Sequence, residues 1–392
     1  MPSRFGDHTG RHLRIRALRC VLPDSFVPAP RITPPPLHAN VVSPPTENVG
    51  MKTHLNTLFV TTEGAWLGKD GETVVVRHEQ QTKIRIPLHN LDGIVGLGWD
   101  ISCSAPLMAA CAEAGVTLSF CNGHGRFQAA IRGATSGNVL LRRQQFRWAD
   151  DEKRCLAIAR NYIAAKIANQ RSVLQRALRD HGNEQRRPPL ESAISRLAQY
   201  IPMSCRATDL DTLRGFEGEA ASCYFGVFDY LITAHNFQFS HRRRRPPTDP
   251  VNALLSFLYA ILAHDCRSAC EAVGLDPQVG FLHTDRPGRA SMALDLMEEL
   301  RPFFVDRLVL SLVNRQQVSP ADFITKETGA VEMNEATRKT VLIAYQERKK
   351  KELEHPFIGE KVSLGLIPHL QARLLARHIR GDLDAYPAFI FK

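Results

Sequence analysis

The sequence predicts an α+β protein in which a small β-rich N-terminal domain is followed by a large, mostly α-helical domain. Between residues 51 and 130, apolar and polar residues often alternate, which is typical of half-buried strands. After about residue 142 the apolar period changes to 3.6 and glycine becomes rarer, which indicates helices. The chain has 392 residues, of which 44% are hydrophobic, so it can bury one large or two ordinary cores. A wholly disordered or fibrous protein is therefore excluded.

The first 50 residues differ in composition from the rest of the chain. They contain nine of the 24 prolines and almost no hydrophobic periodicity, which predicts a disordered, Pro-rich extension over residues 1–50. A second methionine, Met51, begins the ordinary globular composition. Candidate functional residues are therefore sought after Met51.

The β-rich domain is predicted over residues 51–130. Its first part indicates an antiparallel meander of short strands near 58–61, 65–67, 73–78 and 83–87. After the meander we expect a strand near 91–97, a short helix near 104–114 and a strand near 116–120. Residues 131–150 are interpreted as a linker.

The large domain is predicted over residues 151–392, with helical periodicity already present from about residue 143. Asp249 and Pro250 form a typical helix start, because Asp caps the N-terminus and Pro is tolerated at the first helical position. The helical stretches lie near 143–180, 190–200, 218–235, 250–273, 291–315 and 335–353.

The charge balance points to an anionic partner. Fifty Lys and Arg against 40 Asp and Glu leave a net charge of +10, and the first 50 residues, with six Arg and three acidic residues, contribute only +3 of it. No run of about 18 apolar residues and no secretory signal is present, so we expect no membrane partner. Nine cysteines without a C-x-x-C pair are typical of reduced thiols, and we expect a cytoplasmic protein.

Several well-known motifs are missing. The sequence has no G-x-x-x-x-G-K-[ST], no G-x-S-x-G and no H-E-x-x-H, which argues against a P-loop site, a hydrolase nucleophile elbow and a zinc protease. The chemistry must therefore come from isolated acidic, imidazole and basic side chains.

Glu217 is the first candidate. At helical spacing it lines up with the apolar positions Ala220 and Tyr224, whereas Glu219 lies on the opposite face and is expected in solvent. A carboxylate in an apolar stripe needs a partner, which can be a basic side chain or a metal cation. Both a structural ion pair and a ligand role for Glu217 stay open.

A second group consists of one imidazole and two carboxylates. His283 ends a short apolar stretch, and a helix that follows places Asp295 and Glu298 three residues apart on one face. Taken alone, these residues are also typical of a core histidine and solvated charges. If they converge with Glu217, they form a mostly hard-ligand site suited to Mg²⁺ or Mn²⁺, and the imidazole favours Mn²⁺.

The third feature is a run of four arginines in a predicted interhelical loop. Charge runs are usually solvated, but this one lies beside the helices of the presumed site, which favours binding of a phosphate backbone. Arg289, just before the acidic helix, is a further DNA-binding candidate. The run consists of Arg242, Arg243, Arg244 and Arg245.

Three segments together resemble the signature of a known family. They are G-F-E-G-E-A-A-x-x-Y-F at 215–225, R-R-P-P-x-D-P-x-N-A-L-L-S-F at 244–257, and G-F-L-H with D-L-x-E and R-P between 280 and 302. They are similar to the CRISPR-associated integrase and endonuclease of spacer acquisition. The resemblance covers residues 51–392, and the ends of that region look most like the type I-C branch.

The resemblance implies a site and a set of partners. Its metal ligands fall on Glu217, His283 and Glu298, holding Mn²⁺ or Mg²⁺, and Asp295 occupies the adjacent acidic position, which we count as catalytic. It also implies a homodimer, with the β-rich domain in dimerisation or DNA contact, that binds a prespacer duplex and the CRISPR repeat. A small ferredoxin-like protein, the second-numbered Cas protein, and in the type I-C setting a Cas-four-type nuclease, are the implied protein partners.

The leading hypothesis is metal-dependent phosphodiester transfer by a 3′-hydroxyl on DNA, with hydrolysis when water replaces that hydroxyl. An alternative hypothesis, from a different functional class, is a non-catalytic nucleic-acid scaffold. Its acidic helix would only form ion pairs with Arg289 or Arg301. A third is a hydrolase of a small phosphorylated molecule, which leaves the four arginines without a purpose.

Overall fold

The predicted order of a β-rich region followed by a mostly helical one is confirmed by the computed structural model, which describes residues 57–123, 125, 127–131 and 139–391. The predicted Pro-rich extension over residues 1–50 lies outside the described residues. None of the helices in these ranges is both long and apolar enough to cross a membrane.

The β-rich region contains two four-stranded sheets, with strand orders β1-β5-β7-β8 and β4-β3-β2-β6. A small apolar core, which includes Leu67, Val74, Ile94 and Leu118, is shared by the two sheets and the short helix α1. The elements are β1 (Thr57–Val60), β2 (Trp66–Asp70), β3 (Thr73–His78), β4 (Gln81–Pro87), β5 (Gly93–Leu97), β6 (Ser102–Cys103), α1 (Ala105–Glu113), β7 (Thr117–Cys121) and β8 (Phe127–Ile131).

The predicted antiparallel meander is right for β2, β3 and β4 but wrong for the first strand. β1 pairs in parallel with β5, and β5 pairs in parallel with β7. All five residues of β5 are buried, which is typical of a strand covered on both faces. Parallel neighbours need a long crossover, and the chain between β5 and β7 supplies it by way of α1.

The second region contains helices and two small hairpins. The helices are α2 (Val139–Ala149), α3 (Glu152–His181), α4 (Arg187–Arg206), α5 (Leu210–Gly226), α6 (Pro250–Ala272), α7 (Ser291–Glu298), α8 (Arg307–Asn314), α9 (Glu335–Lys350) and α10 (Ile367–Arg380). The hairpins pair β9 (Phe323–Thr325) with β10 (Val331–Met333) and β11 (Glu352–Glu354) with β12 (Lys361–Ser363).

Caps and a proline explain where the observed helices depart from the predicted ones. The stretch predicted at 143–180 is two helices, because the Asp151 carboxylate accepts from the first backbone N–H groups of α3. The stretch predicted at 218–235 begins earlier, after the N-cap Asp209. The stretch predicted at 291–315 is interrupted by a π-helical turn at Arg301–Asp306, where Pro302 lacks an N–H. The start of α6 at Asp249 is as predicted.

Helix α3 lies at the centre of the large core and packs against α4, α5 and α7. Its buried face is apolar at Tyr162, Ile163 and Ile167, yet it also buries Lys166 and Asn169. Buried polar side chains need partners, so these positions mark where α3 meets charged or polar groups of other elements.

The C-terminal segment is attached to the core by Glu299. The Glu299 carboxylate is fully buried and accepts hydrogen bonds from Tyr386 Oη (2.5 Å), Gln371 Nε2 (3.1 Å) and the Phe389 backbone N (2.6 Å). Asn169 Nδ2 donates to Phe389 O at 2.9 Å and adds a second attachment. Burial raises the pKa of Glu299 to about 7, against the lowering effect of its three hydrogen bonds.

We expect Glu299→Gln to change how stability depends on pH. Because the folded pKa of about 7 exceeds the ordinary value of 4.5, the folded state holds this proton more tightly. The contribution of the protonated Glu299 to the free energy of unfolding is complete below about pH 4.5 and is lost as the pH rises to about 7. The wild-type free energy of unfolding should therefore fall by roughly 3 kcal/mol relative to that of the variant between these values.

Urea unfolding at pH 4.5, 5.5 and 7 measures this difference, with the exposed Glu219→Gln as control. Asp306, whose pKa burial also raises to about 7, is present in all three proteins and cancels. Parallel pH profiles for wild type and Glu299→Gln would contradict the expectation.

Candidate active site

The loop that precedes α7 is held by the Asp295 carboxylate. Its Oδ2 accepts from the backbone N of Phe281 (2.6 Å) and of Leu282 (2.9 Å), and its Oδ1 accepts from the backbone N of His283 (3.0 Å). Gly280 makes this approach possible, because a Cβ there would lie 2.9 Å from Asp295 Oδ2. Asp295 is completely buried, and both of its oxygens are occupied by this loop.

His283 is oriented by the same carboxylate. Its Nδ1 lies 2.6 Å from Asp295 Oδ1, while its Nε2 faces Glu298, with 3.9 Å between Nε2 and Oε1. A carboxylate acceptor at Nδ1 favours the tautomer that carries the proton there. The Nε2 lone pair is then free to bind a cation, and the side chain keeps 21% exposure.

Glu298 is an ionised carboxylate in a buried position. Arg301 Nη1 lies 3.1 Å from its Oε1, and Lys166 Nζ lies 2.6 Å from its Oε2. Burial alone would raise the pKa of Glu298, but the charges of Arg301, Lys166 and His283 outweigh burial and lower the pKa to about 2. The ion pair with Arg301 is one that the scaffold hypothesis anticipated.

Glu217 reaches the same place from α5. On the same face of α5, Ala220 and Tyr224 are completely buried, as the predicted apolar stripe requires. Glu219 is exposed, as expected. Lys166 Nζ pairs with Glu217 Oε1 while it also contacts Glu298, so one ammonium bridges two carboxylates. The side chain of Lys166 is 5% exposed, whereas that of Glu217 is 28% exposed.

Glu217, His283 and Glu298 line a cavity of about 280 Å³ whose wall has both acidic and basic residues. Arg289 was predicted as a DNA-binding residue and lies on its wall. Arg214 and Arg286 were not singled out from the sequence. Arg214 also donates to the Leu282 carbonyl at 2.9 Å, which ties α5 to the loop of His283. The lining consists of Arg214, Glu217, Leu282, His283, Thr284, Arg286, Arg289 and Glu298.

The donors in this cavity fit a divalent cation. Two carboxylates and an imidazole whose other nitrogen is held by a carboxylate form a set that Mn²⁺ and Mg²⁺ accept. Glu298 Oε2 is buried and accepts no well-directed hydrogen bond, and its close neighbour is a cation, the ammonium of Lys166. Within the described ranges no three His, Cys, Asp or Glu side chains are gathered around a metal position.

The four-arginine run divides into one internal and three external side chains. Arg242 turns inward and donates to Asn252 Oδ1 (2.7 Å) and Ser256 Oγ (3.1 Å), which fastens the loop to α6. Its guanidinium is therefore already engaged by the protein. The exposed members are Arg243, Arg244 and Arg245.

Lys166 was missed, although the sequence carries a signal for it. It is a single charged residue within the apolar helical stretch I-A-A-K-I-A at 163–168, so its ammonium had to be buried against acidic partners. Periodicity identifies such a residue but gives no indication of which carboxylates it meets.

Residues 58–347 match the protein family described as CRISPR associated protein Cas1. A relative from Chlorobaculum tepidum, named CRISPR-associated endonuclease Cas1 1, is 52% identical over 344 residues, or 87% of this chain and 100% of the relative. A relative from Rhodospirillum rubrum, named CRISPR-associated endonuclease Cas1 2, is 53% identical over 348 residues, with coverage of 87% and 100%.

Solved structures agree on the fold. A CAS1 protein from Thermotoga maritima superposes with a TM-score of 0.72 at 22% identity, covering 86% of this chain and 100% of that chain. A casposase bound to integration product gives a TM-score of 0.71 at 22% identity, covering 84% and 91%. A Cas6-RT-Cas1–Cas2 complex gives a TM-score of 0.72 at 23% identity, covering 86% of this chain and 36% of that chain. A CRISPR-associated exonuclease Cas4/endonuclease Cas1 fusion from Geobacter sulfurreducens is 33% identical over 338 residues, or 85% of this chain and 60% of the relative.

We expect Asp295→Asn to weaken binding of a divalent metal without unfolding the protein. The amide NH₂ would face the N–H groups of His283, so the imidazole proton should move to Nε2 and block the coordinating lone pair. Titration calorimetry with Mn²⁺ should show affinity lower by roughly 10- to 100-fold.

The exposed Asp285→Asn on the same loop is the matched control. Nitrogen-15 NMR of the His283 ring reports its tautomer, and an unchanged tautomer with unchanged Mn²⁺ affinity would refute the role given to Asp295.

Proposed function

The chain belongs to the Cas1 family of CRISPR-associated proteins, and from this premise we propose that it is a metal-dependent DNA integrase and endonuclease of spacer acquisition. The observation that carries the proposal is the convergence of Glu217, His283 and Glu298 on one cavity that is also lined by arginines. A site with both anionic ligands and cationic walls suits a phosphodiester held next to a divalent cation.

Glu217, His283 and Glu298 are the residues that would hold Mn²⁺ or Mg²⁺. Bound there, the ion supplies Lewis-acid polarisation of the target phosphate and stabilises the charge that develops on it. Asp295 keeps His283 Nε2 available, and Arg301 keeps Glu298 ionised, so both act as positioning residues.

The reaction is an in-line exchange at phosphorus. The 3′-hydroxyl oxygen of the incoming prespacer forms a bond to the target phosphorus, the bond to the target's own 3′-oxygen breaks, and that oxygen takes up a proton. When water replaces the 3′-hydroxyl, the same exchange is hydrolysis. Neither course needs a covalent enzyme intermediate or a nucleotide cofactor.

Arginines bind and position the phosphates of the DNA. Arg214, Arg286 and Arg289 line the cavity and are positioned to neutralise the phosphate that reacts. Arg243, Arg244 and Arg245 are exposed on the loop before α6 and bind backbone phosphates further along the duplex.

The proposed assembly is a cytoplasmic homodimer that binds the prespacer and the CRISPR repeat together with the second-numbered Cas protein. Two of these partners are supported by similar proteins, namely a solved Cas6-RT-Cas1–Cas2 complex and a relative in which Cas4 and Cas1 are fused. A Cas-four-type nuclease is therefore proposed as a further partner, and the type I-C assignment stays a prediction.

A scaffold without catalysis is the second candidate, because one observation favours it. Glu298 and Glu217 are both ion-paired inside the protein, by Lys166 and Arg301, as a purely structural acidic face would be. The scaffold would bind DNA equally well in a chelator and would form no product.

We expect Glu217→Gln and His283→Ala each to lower strand transfer by at least roughly 100-fold, because the first removes the negative charge of a ligand and the second removes the imidazole. Purified protein with its small Cas partner is incubated with a 3′-hydroxyl duplex, supercoiled plasmid and Mn²⁺, and joined products are counted on a gel. Glu219→Gln, two residues along the same helix and exposed, should keep wild-type activity.

Product that persists in Glu217→Gln and in chelator would remove the metal site from the mechanism. DNA binding by wild type without any joined or nicked product in Mn²⁺ or Mg²⁺ would instead support the scaffold.

We expect the triple substitution Arg243→Gln, Arg244→Gln and Arg245→Gln to weaken DNA binding on all sequences alike. The slope of log K against log salt should become shallower by about 1 for each arginine that neutralises a phosphate. Fluorescence anisotropy at several salt concentrations measures the slope.

A control variant replaces three exposed arginines that already pair with acidic neighbours, namely Arg176, Arg179 and Arg187. Equal changes in slope for the two triple variants would show that the loop has no specific role.

A further inference from the structure

We propose that Lys166 is an internal cation that occupies the metal position between Glu217 and Glu298, that a divalent metal must displace it, and that Gln170 receives the displaced ammonium. This proposal rests on the metal site of the proposed function and adds a control on its occupancy. It makes Lys166 a residue that sets metal affinity through competition.

The ammonium already stands where a cation is required. Lys166 Nζ contacts Glu217 Oε1 and lies 2.6 Å from Glu298 Oε2, so it bridges ligands that come from two different helices. Its side chain is 5% exposed and comes from α3, the central helix of the core. The ammonium compensates one of the two carboxylate charges while no metal is present, and Arg301 also pairs with Glu298.

A metal and this ammonium cannot share the position. Both are cations, and both need the facing oxygens of Glu217 and Glu298, so their repulsion at a few ångströms in a buried site would be strong. Metal binding is therefore an exchange of cations. The free energy needed to move the ammonium makes metal binding weaker than the same ligands would otherwise allow.

The structure contains a second place for the ammonium. Gln170 lies one turn further along α3, and its buried Oε1 accepts no hydrogen bond. Lys166 and Gln170 both line a second, smaller cleft of about 10 Å³, which is the size of one water or one ammonium group. An orphaned buried acceptor beside a space of this size is what a displaced ammonium needs.

The cleft also explains why the ammonium does not stay there. Arg242, Arg244 and Arg301 line it together with one carboxyl group, Asp306, whose two oxygens already accept hydrogen bonds from tyrosine hydroxyls. The three cations outnumber it, so a further cation is repelled, and the hydrogen bond to Gln170 offsets only part of that repulsion. Without a metal the bridging position is preferred. With a metal between the carboxylates, the cleft becomes the better of the two positions.

One consequence concerns DNA. While Lys166 bridges Glu217 and Glu298, their negative charge is compensated locally, and the cavity also carries three arginines, so it does not repel a phosphodiester. The protein can therefore bind DNA before the metal arrives. Removing the ammonium should weaken DNA binding in chelator and leave it normal in Mn²⁺.

The test is calorimetric titration of Mn²⁺ into the folded full chain of wild type, Lys166→Met and Gln170→Leu. Methionine keeps the length of the lysine stem and removes its charge. We expect Lys166→Met to bind Mn²⁺ at least about tenfold more tightly than wild type, and Gln170→Leu to bind it several-fold more weakly. Lys153→Met, at an exposed position of the same helix, is the control and should match wild type.

The double variant Lys166→Met with Glu217→Gln locates the effect, because the gain in affinity should disappear when a ligand is removed. If Lys166→Met alone fails to fold, its folding in the presence of Mn²⁺ but not of chelator supports the exchange, and the Gln170→Leu titration stands independently. A folded Lys166→Met that binds Mn²⁺ as weakly as wild type, or more weakly, overturns the proposal.

Failure of the proposed function is a separate result. If wild type and Lys166→Met bind Mn²⁺ with the expected difference but form no strand-transfer product, the cation exchange is supported and the integrase function is refuted. If neither protein binds Mn²⁺, the exchange is refuted together with the metal site.

Discussion

Three buried carboxylates at the end of α7 impose the constraint on which the surrounding structure depends. Asp295, Glu298 and Glu299 are each at most 2% exposed, and a buried carboxylate without partners costs several kcal/mol. Several separate parts of the chain therefore supply donors to them. The loop before it supplies backbone N–H groups to Asp295, Arg301 and Lys166 supply charge to Glu298, and the C-terminal segment closes over Glu299.

The groups that stabilise each buried carboxylate decide what that carboxylate can do. Glu298 faces cations, which hold its pKa near 2, so it stays anionic and suits a cation ligand. Glu299 is the next residue but faces only neutral donors, and burial raises its pKa to about 7, which suits a structural attachment. Asp295 faces the backbone and an imidazole, and thereby converts a loop into a rigid support for His283. Adjacent positions in the sequence thus perform three different tasks.

Much of the fold and part of the site follow from local pattern. Alternation and helical period separate the β-rich region from the helical one, and the spacing of Glu217 with Ala220 and Tyr224 identifies a carboxylate at the edge of a buried face. Helix boundaries were less accurate, since a cap at Asp151 and the missing N–H of Pro302 divide stretches that a periodic pattern treats as continuous. Pairing was the weakest part, because alternation does not distinguish parallel from antiparallel neighbours.

Local sequence pattern is enough to predict the fold class, the helical face that carries Glu217, the shared face of Asp295 and Glu298, and the residue types suited to a divalent cation. Contacts between distant segments are needed to see that Asp295 accepts hydrogen bonds from the loop of His283, that Lys166 bridges the two glutamates and that Arg242 turns inward. The reason is physical: periodicity fixes which face of a helix is buried, whereas the partner of a buried charge comes from another helix, distant in the chain, and packing alone brings them together.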